Sequence, residues 1–277
     1  MGKDTSWNSV ADWYDELLAD KDSYQQNVIL PNLTRLVGEV RGKKILDLAA
    51  GQGFFSEALS KAGAQVTAID ISPELIAKAK QYLGAKVICV VGSAELLPKE
   101  IKQEPFDAII CILALQNIRD INAVFAQAAS VLKKGGKFHV VLNHPAFRIP
   151  KGSSWGFDPK ADFGAVERIS TQRESGAKMR YGASEKGGVQ YRRVDGYLSE
   201  SETEILMHPG EKKSPKTVSF HRPLQLYSKA SAKRGFVIER LEEWVSHKES
   251  QRGPRKTAED RARKEFPLFL YLGLVKV

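Results

Sequence analysis

The chain has 277 residues, with 42 Lys and Arg against 33 Asp and Glu, which gives a formal net charge of +9 at pH 7. Hydrophobic residues make up 42% and charged residues 27%, a balance typical of a folded globular protein that excludes a disordered chain and a fibre. The length suits one large domain with an insertion and is short for two independent domains.

Residues 1–40 predict a helical cap. Apolar side chains recur at helical spacing in two groups, the first including Trp13 and the second ending at Val37. Proline is best accommodated near the beginning of a helix. We therefore expect two helices, with Pro31 near the start of the second.

Residues 41–144 alternate between apolar runs of strand length and helical patterns. Five runs rich in Val and Ile predict strands, namely KILDLA, QVTAID, KVICVV, FDAIICIL and GKFHVVLN. Strands that alternate with helices over short connections are typical of a parallel sheet with right-handed crossovers. Ser72 before Pro73 predicts a helix N-cap, and Gly63 and Gly84 predict helix ends. We therefore predict an α/β, Rossmann-like, doubly wound core.

Residues 145–220 lose this periodicity, and glycine, charged residues and isolated aromatic residues dominate. A connection this long in a compact domain usually covers or builds a site. Aromatic side chains such as Trp155 favour packing over a disordered insertion. We expect an ordered lid over the substrate.

Residues 221–277 predict the rest of the core. A helical pattern ends at Gly235, and VIERLEEWVS and PLFLYLGLVKV predict two late strands, so the mostly parallel sheet has seven strands. The charged segment between the two strands predicts an exposed loop and a short helix.

The cysteines and the apolar runs limit the cellular context. Cys89 and Cys111 lie in strand-like runs without disulfide or zinc spacing, so we expect buried thiols. His and carboxylate spacings predict no metal site. The longest apolar run is about ten residues, too short to cross a bilayer, and no signal-peptide pattern begins the chain. We expect a cytoplasmic enzyme without a membrane span.

The stretch ILDLAAGQG joins the first predicted strand to its helix. Gly51 and Gly53 let a ligand approach the backbone at a helix N-terminus, but the third glycine of a dinucleotide fingerprint is missing. Asp47 before the turn would repel a pyrophosphate and attract an ammonium group. Asp70, at the end of the second strand, suits two ribose hydroxyls. A ligand with an ammonium and carboxylate at one end, a ribose at the other and no phosphate is S-adenosylmethionine.

At these motifs the chain resembles the class I S-adenosylmethionine-dependent methyltransferases, closest to the small-molecule group related to the ubiquinone and menaquinone enzymes. The resemblance covers the core well and the C-terminal strands more loosely. It implies that Asp47 bonds the methionine ammonium, directly or through water, and that Asp70 binds the ribose. GSAELLP resembles the third motif, although many relatives carry Asp where this chain has Ser93. The further cofactor contacts that the resemblance implies are Ala49, Gly51, Gly53, Ile71, Ser93, Ala94, Glu95, the backbone of Leu113, and Tyr14 as a weak contact.

The substrate is expected beyond the carboxyl ends of the strands. We predict substrate contacts from Asn143, His144, Arg148, Trp155, His221 and Arg222. His144 is the candidate general base if the acceptor must lose a proton, with a structural role weighed equally. His221 and Arg222 either orient the substrate or fasten the lid to the core, and fastening is preferred.

Three functions stay open. The leading prediction is methyl transfer from S-adenosylmethionine to an oxygen, nitrogen or carbon atom of a small or medium-sized metabolite, with S-adenosylhomocysteine as product. The first alternative is an RNA or protein methyltransferase with a basic surface, although no RNA-binding module and no Asn-Pro-Pro-aromatic tetrad follows the fourth strand. That basic surface comprises Arg252, Arg255, Lys256, Arg261, Arg263 and Lys264. The second alternative is a non-catalytic protein that binds the cofactor. The sequence leaves the oligomeric state open.

Overall fold

The structure, a computed structural model, describes residues 22–103, 105–161, 188–206 and 216–277. The predicted first helix of the cap, with Trp13 and Tyr14, lies outside these ranges. The second helix is α1 (Leu30–Val37), which has a proline in its first turn as predicted and follows a π-helical segment over Gln25–Ile29.

Seven strands form the main sheet, in the order β10-β11-β5-β4-β1-β2-β3. These are β1 (Lys44–Leu48), β2 (Gln65–Asp70), β3 (Val87–Val91), β4 (Phe106–Ile112), β5 (Leu132–Asn143), β10 (Phe236–Trp244) and β11 (Phe269–Lys276). β11 is antiparallel to both of its neighbours, and the other six strands run in one direction. The predicted mostly parallel, doubly wound α/β fold is therefore confirmed.

Helices pack on both faces of this sheet. They are α2 (Phe54–Lys61), α3 (Pro73–Leu83), α4 (Ile121–Val131), α5 (Leu224–Ala232) and α6 (Lys256–Glu265). The Ser72 hydroxyl accepts a hydrogen bond from the Leu75 N–H at 3.1 Å, which confirms the predicted N-cap of α3. Within the described residues, none of the helices combines the length and apolar character needed to cross a membrane.

The apolar core lies in two layers, one on each face of the sheet. Phe125 of α4 and Phe138 of β5 belong to one layer, and Leu33 of α1 and Ile76 of α3 belong to the other. Strands that are buried on both faces need apolar residues at successive positions, which explains the continuous Val and Ile runs. The two cysteines are buried as predicted, one in each layer.

The described part of the insertion forms two hairpins outside the main sheet. β6 (Ser153–Asp158) pairs with β7 (Val189–Val194), and β8 (Ser201–Leu206) pairs with β9 (Lys216–His221), both antiparallel. The loss of periodicity in the sequence gave no sign of these four strands. The predicted division into residues 1–40, 41–144, 145–220 and 221–277 stays a prediction, although β10 and β11 complete the same sheet as β1–β5.

Candidate functional site

The carboxyl ends of β1, β2 and β4 meet at one edge of the sheet, around the turn that follows β1. Ala49, Gly51 and Gly53 all have left-handed backbone, with φ of 57°, 59° and 87°. This conformation is unusual for alanine and typical of strained functional turns. Gly53 precedes α2 without a side-chain cap, so the N–H groups at the start of that helix face this edge.

Asp47 is a buried carboxyl group at this turn, with 2% of its surface exposed. Its Oδ2 accepts a hydrogen bond of 2.7 Å from the Ser56 hydroxyl, which carries no charge. Burial, with a smaller contribution from the neighbouring Asp70 carboxylate, raises the pKa of Asp47 to about 7, and the hydrogen bond from Ser56 opposes the rise. A buried carboxyl group poised near neutrality favours a cationic ligand.

Asp70 is also buried, but its orientation is fixed by the backbone. It accepts hydrogen bonds from the Gly51 N–H at 2.8 Å and the Ser72 N–H at 2.9 Å, one on each oxygen. A carboxylate offers about four lone-pair sites, so the group keeps capacity for another donor. Burial raises the pKa of Asp70, and these backbone bonds oppose the rise. Ile71 next to it is 36% exposed, which leaves an apolar surface at this edge.

The predicted adenine segment after β3 is a tight turn. The Ser93 hydroxyl accepts a hydrogen bond from the Glu95 N–H at 3.1 Å, and Ala94 is buried. The Glu95 carboxylate accepts a hydrogen bond of 2.7 Å from the Asp120 N–H. These polar atoms hold the turn and its neighbour together, so the predicted contacts of this segment to adenine stay predictions. Leu96 is 71% exposed beside them, an apolar candidate that the sequence analysis did not single out.

Leu113, directly after β4, links the cofactor edge to a cavity. Its backbone is left-handed, with φ of 55°. Its N–H donates to the Val141 carbonyl at 2.8 Å, and its carbonyl accepts from the Gln116 Nε2 amide at 2.6 Å. The predicted contact of this backbone to the methionine end of the cofactor stays a prediction.

The cavity beyond Leu113 has a volume of about 260 Å³ and is lined by Gln116, by residues after β5, and by residues of both hairpins and α5. Of the predicted substrate residues, Asn143, Arg148, His221 and Arg222 line it. His144 and Trp155 are not part of its lining.

His144 lies at the end of β5 with both ring nitrogens in use. Nδ1 accepts a hydrogen bond from the Ala146 N–H at 3.2 Å, so the proton of the neutral ring is on Nε2, which donates to Glu243 Oε1 at 2.7 Å. Burial lowers the pKa of His144, and the Glu243 carboxylate opposes this shift. The contacts favour the structural alternative, in which His144 fastens β5 to β10.

Trp155 packs the first hairpin against the rest of the chain. Its ring lies 5.4 Å from that of Phe266, and the Arg192 guanidinium lies 5.0 Å above it. Arg192 itself lines the cavity, and the sequence analysis missed it. It lies in a stretch of glycine and charged residues without a usable pattern.

His221 ends β9, Arg222 follows it, and the two differ in their contacts. His221 Nε2 lies 2.8 Å from the Tyr197 carbonyl, which can only accept, so the neutral ring carries its proton there and leaves a lone pair on Nδ1. Arg222 is 5% exposed and donates to the carbonyls of Ile118 at 2.9 Å and Arg119 at 2.6 Å. Arg222 therefore fastens the second hairpin to the segment after β4.

Comparisons with known proteins agree with this geometry. Residues 46–140 match the family model described as "Methyltransferase domain". A ubiquinone biosynthesis O-methyltransferase from Xanthomonas axonopodis pv. citri is 35% identical over 128 residues, which cover 45% of this chain and 53% of that protein. One from Xanthomonas euvesicatoria pv. vesicatoria is 40% identical over 107 residues, or 38% of this chain and 44% of that protein. The chain spans about half the length of the curated relatives it matches.

Solved structures extend the likeness beyond the matched domain. An S-adenosylmethionine-dependent methyltransferase from Mesorhizobium loti superimposes with a TM-score of 0.63 at 23% identity, over 89% of this chain and 96% of that one. The glycopeptide N-methyltransferase MtfA, in complex with S-adenosylmethionine, gives 0.56 at 15% identity, over 90% of this chain and 93% of that one. At these identities the likeness shows the fold. Residues 46–140 are thus similar to a methyltransferase domain, and the fold of the chain is the one seen in solved S-adenosylmethionine-dependent methyltransferases.

Proposed function

We propose that this protein binds S-adenosylmethionine and transfers its methyl group to a small or medium-sized metabolite. The observation that carries the proposal is the pair of buried carboxyl groups, Asp47 and Asp70, around a left-handed turn in a methyltransferase domain. Asp47 suits the ammonium of the methionine end, and Asp70 suits two ribose hydroxyls. Gln52 in the same turn has a buried Oε1 without a hydrogen-bond partner in the described residues, so the turn also offers an acceptor.

When bound, S-adenosylmethionine supplies an electrophilic methyl group on a sulfonium. The task of the chain is then to hold the acceptor in line with that methyl group and to exclude water. The cavity beside Leu113 suits this task, because Gln116 belongs to its lining and bonds the Leu113 carbonyl. If the acceptor must lose a proton, His221 is a better candidate base than His144, since it lines the cavity and keeps Nδ1 unprotonated in the neutral ring.

The structure gives no specific support to the polymer-binding alternative. One cation of the predicted basic surface is neutralised within the chain, since Lys256 lies 2.8 Å from the Asp260 carboxylate and 3.2 Å from that of Glu249. A small acceptor is therefore preferred. The cytoplasmic location stays a prediction.

Calorimetric titration with S-adenosylmethionine tests the proposal. We expect the wild type to bind and both Asp47→Asn and Asp70→Asn to weaken binding by about tenfold or more, since each loses a charged partner of the ligand. Asp195→Asn, on an exposed loop after β7, is the control and should bind as the wild type does. Absence of binding by folded wild-type protein would contradict the proposal. Binding without formation of S-adenosylhomocysteine from any small-molecule mixture would favour the non-catalytic alternative.

A further inference from the structure

The cavity beside Leu113 has a strongly one-sided charge. Three arginines line it, and no Asp or Glu among the described residues does. Arg222 donates its hydrogen bonds to backbone carbonyls. Arg192 donates through Nε to the Phe147 carbonyl and through Nη2 to the Ser153 hydroxyl. Carbonyl and hydroxyl oxygens satisfy hydrogen bonds without neutralising the charge, so the cavity keeps a positive potential.

Arg148 is the cation that remains available. Its guanidinium has no hydrogen-bond or ion-pair partner among the described residues. Burial lowers the pKa of Arg148, and burial together with the charge on Arg148 lowers the pKa of Arg192. Two cations that repel each other in a partly desolvated cavity cost free energy, which an anionic ligand would recover.

Gln116 adds a buried hydrogen-bond acceptor without a partner in the described residues to the same cavity. It is 8% exposed, and its Nε2 donates to the Leu113 carbonyl at 2.6 Å, which fixes the orientation of the amide. Its Oε1 is buried and has no partner in the described residues. A buried acceptor of this kind is satisfied by a donor such as a hydroxyl or an amine.

We infer that the acceptor substrate is a small oxyanion, a carboxylate or a phosphate ester, that also carries a hydroxyl or amino group. This inference rests on the proposed function. Arg148, with Arg192, binds the oxyanion through guanidinium N–H groups, whose planar fork fits two oxygens. Gln116 Oε1 accepts the hydrogen bond of the hydroxyl or amine. The cavity volume of about 260 Å³ is below the roughly 300–1,000 Å³ of sites for drug-sized ligands, so the part of the substrate inside it is small.

Calorimetry with matched probes tests the inference on the full chain, with and without bound S-adenosylhomocysteine. The probes are 3-hydroxybenzoate, phenyl phosphate and 3-hydroxybenzamide, the last a neutral analogue of the first. We expect at least one oxyanion to bind about tenfold or more tightly than the amide, and the better of the two identifies the anionic group. Equal affinity for the amide and both oxyanions would overturn the inference.

Variants separate the cavity from general surface charge. Arg148→Gln should remove the preference for the oxyanion, and Arg148→Lys should keep part of it. The control is Arg193→Gln, the next residue on β7, which is 67% exposed and pairs with Asp195. Gln116→Met should lower the affinity for 3-hydroxybenzoate toward that for benzoate. A preference that survives Arg148→Gln, or falls equally in Arg193→Gln, would place the anion elsewhere.

Measuring the probes with and without bound S-adenosylhomocysteine distinguishes failure of the proposed function from failure of the substrate inference. If S-adenosylhomocysteine does not bind, the proposed methyltransferase function fails, whereas the oxyanion preference is still measured on the unloaded protein. If the cofactor binds and no oxyanion preference exists, only the substrate inference fails.

Discussion

Asp47 combines the proposed binding role with a cost to the folded state. Its pKa of about 7 means that the folded protein holds a proton that the unfolded chain, at an ordinary pKa of 3.8, has released. The contribution of Asp47 to the free energy of unfolding is therefore favourable below pH 4 and falls as pH rises toward 7, by up to about 4 kcal/mol. Asp47→Asn should remove this slope and make the unliganded protein more stable at about pH 8. Urea unfolding of both proteins at a series of pH values measures this slope. The same pH dependence of stability in the wild type and the variant would contradict the assignment.

The same carboxyl group predicts pH-dependent cofactor affinity. An ammonium group binds the ionised form of Asp47, so the affinity should rise between about pH 5.5 and 7.5 and binding should release a proton. Titrations in two buffers with different ionisation enthalpies count that proton. Asp47→Asn should bind weakly at all pH values in this range and release none. A wild-type affinity that is flat across the range would mean that Asp47 is ionised before the ligand arrives.

His139 has the opposite pH dependence. It is 1% exposed, its Nδ1 lies 2.7 Å from the Tyr271 hydroxyl, and burial lowers its pKa to about 4. Because the unfolded ring protonates near pH 6.5, its contribution is complete above that pH and is lost as pH falls to 4, about 3 kcal/mol in all. We expect His139→Gln to flatten the loss of stability between these values. Denaturant titrations of the wild type and the variant at pH 7, 5.5 and 4 measure this loss. An equal loss of stability in the two proteins would mean that His139 titrates normally.

At the scale of the elements, the turn between β1 and α2 depends on Gly53. Its φ of 87° disfavours a side chain, and a Cβ there would lie 2.5 Å from Leu83 Cδ1. Gly53→Ala should cost about 1–3 kcal/mol and weaken cofactor binding. Gly42→Ala is the matched control, since Gly42 has φ of 75° and nothing within 4 Å of a Cβ. Equal cofactor affinity in both variants would show that the turn does not shape the site.

The second hairpin is held by two arginines of different burial. Buried Arg222 bonds backbone carbonyls, whereas exposed Arg119 pairs with Glu202 at 2.8 Å. Arg222→Met leaves carbonyls unpaired and should speed hydrogen exchange in β8 and β9 about tenfold or more, while Arg119→Gln should change it little. Exchange followed by mass spectrometry measures both. Similar exchange in the two variants would mean that packing, and not Arg222, holds the hairpin.

The same elements show what sequence patterns can predict. β1, β2, β4 and β5 are largely buried on both faces, so their apolar runs predicted them well, and the edge strand β3 has a similar run. The hairpin strands lie at the surface, and sequences such as VQYRRV and SETEIL have no continuous apolar face to reveal them. Asp47 and Asp70 could be predicted because each lies at the carboxyl end of a recognisable strand, but Arg192 could not. Gln116 was within reach, since it lies three residues after Leu113 at the end of a predicted strand.

At the scale of the whole molecule, the site is assembled from distant parts of the chain. Gln116, Arg148, Arg192 and His221 line one cavity only because the hairpins return to the edge of the sheet. No local pattern contains that information. The family match over residues 46–140 likewise stops short of β10, β11 and the hairpins.

This arrangement predicts that the matched domain does not fold alone. β11 lies between β5 and β10, its Leu270, Leu272 and Leu274 are each 1% exposed, and Phe236 of β10 packs 6.0 Å from Phe138 of β5. A fragment of residues 1–144 would leave the backbone edge of β5 unpaired and this apolar surface exposed. We expect it to lack a cooperative unfolding transition and to bind no S-adenosylmethionine, whereas the full chain does both. Circular dichroism and calorimetry compare the two, and a cooperatively folded fragment that binds the cofactor would show that β10 and β11 serve only the substrate side.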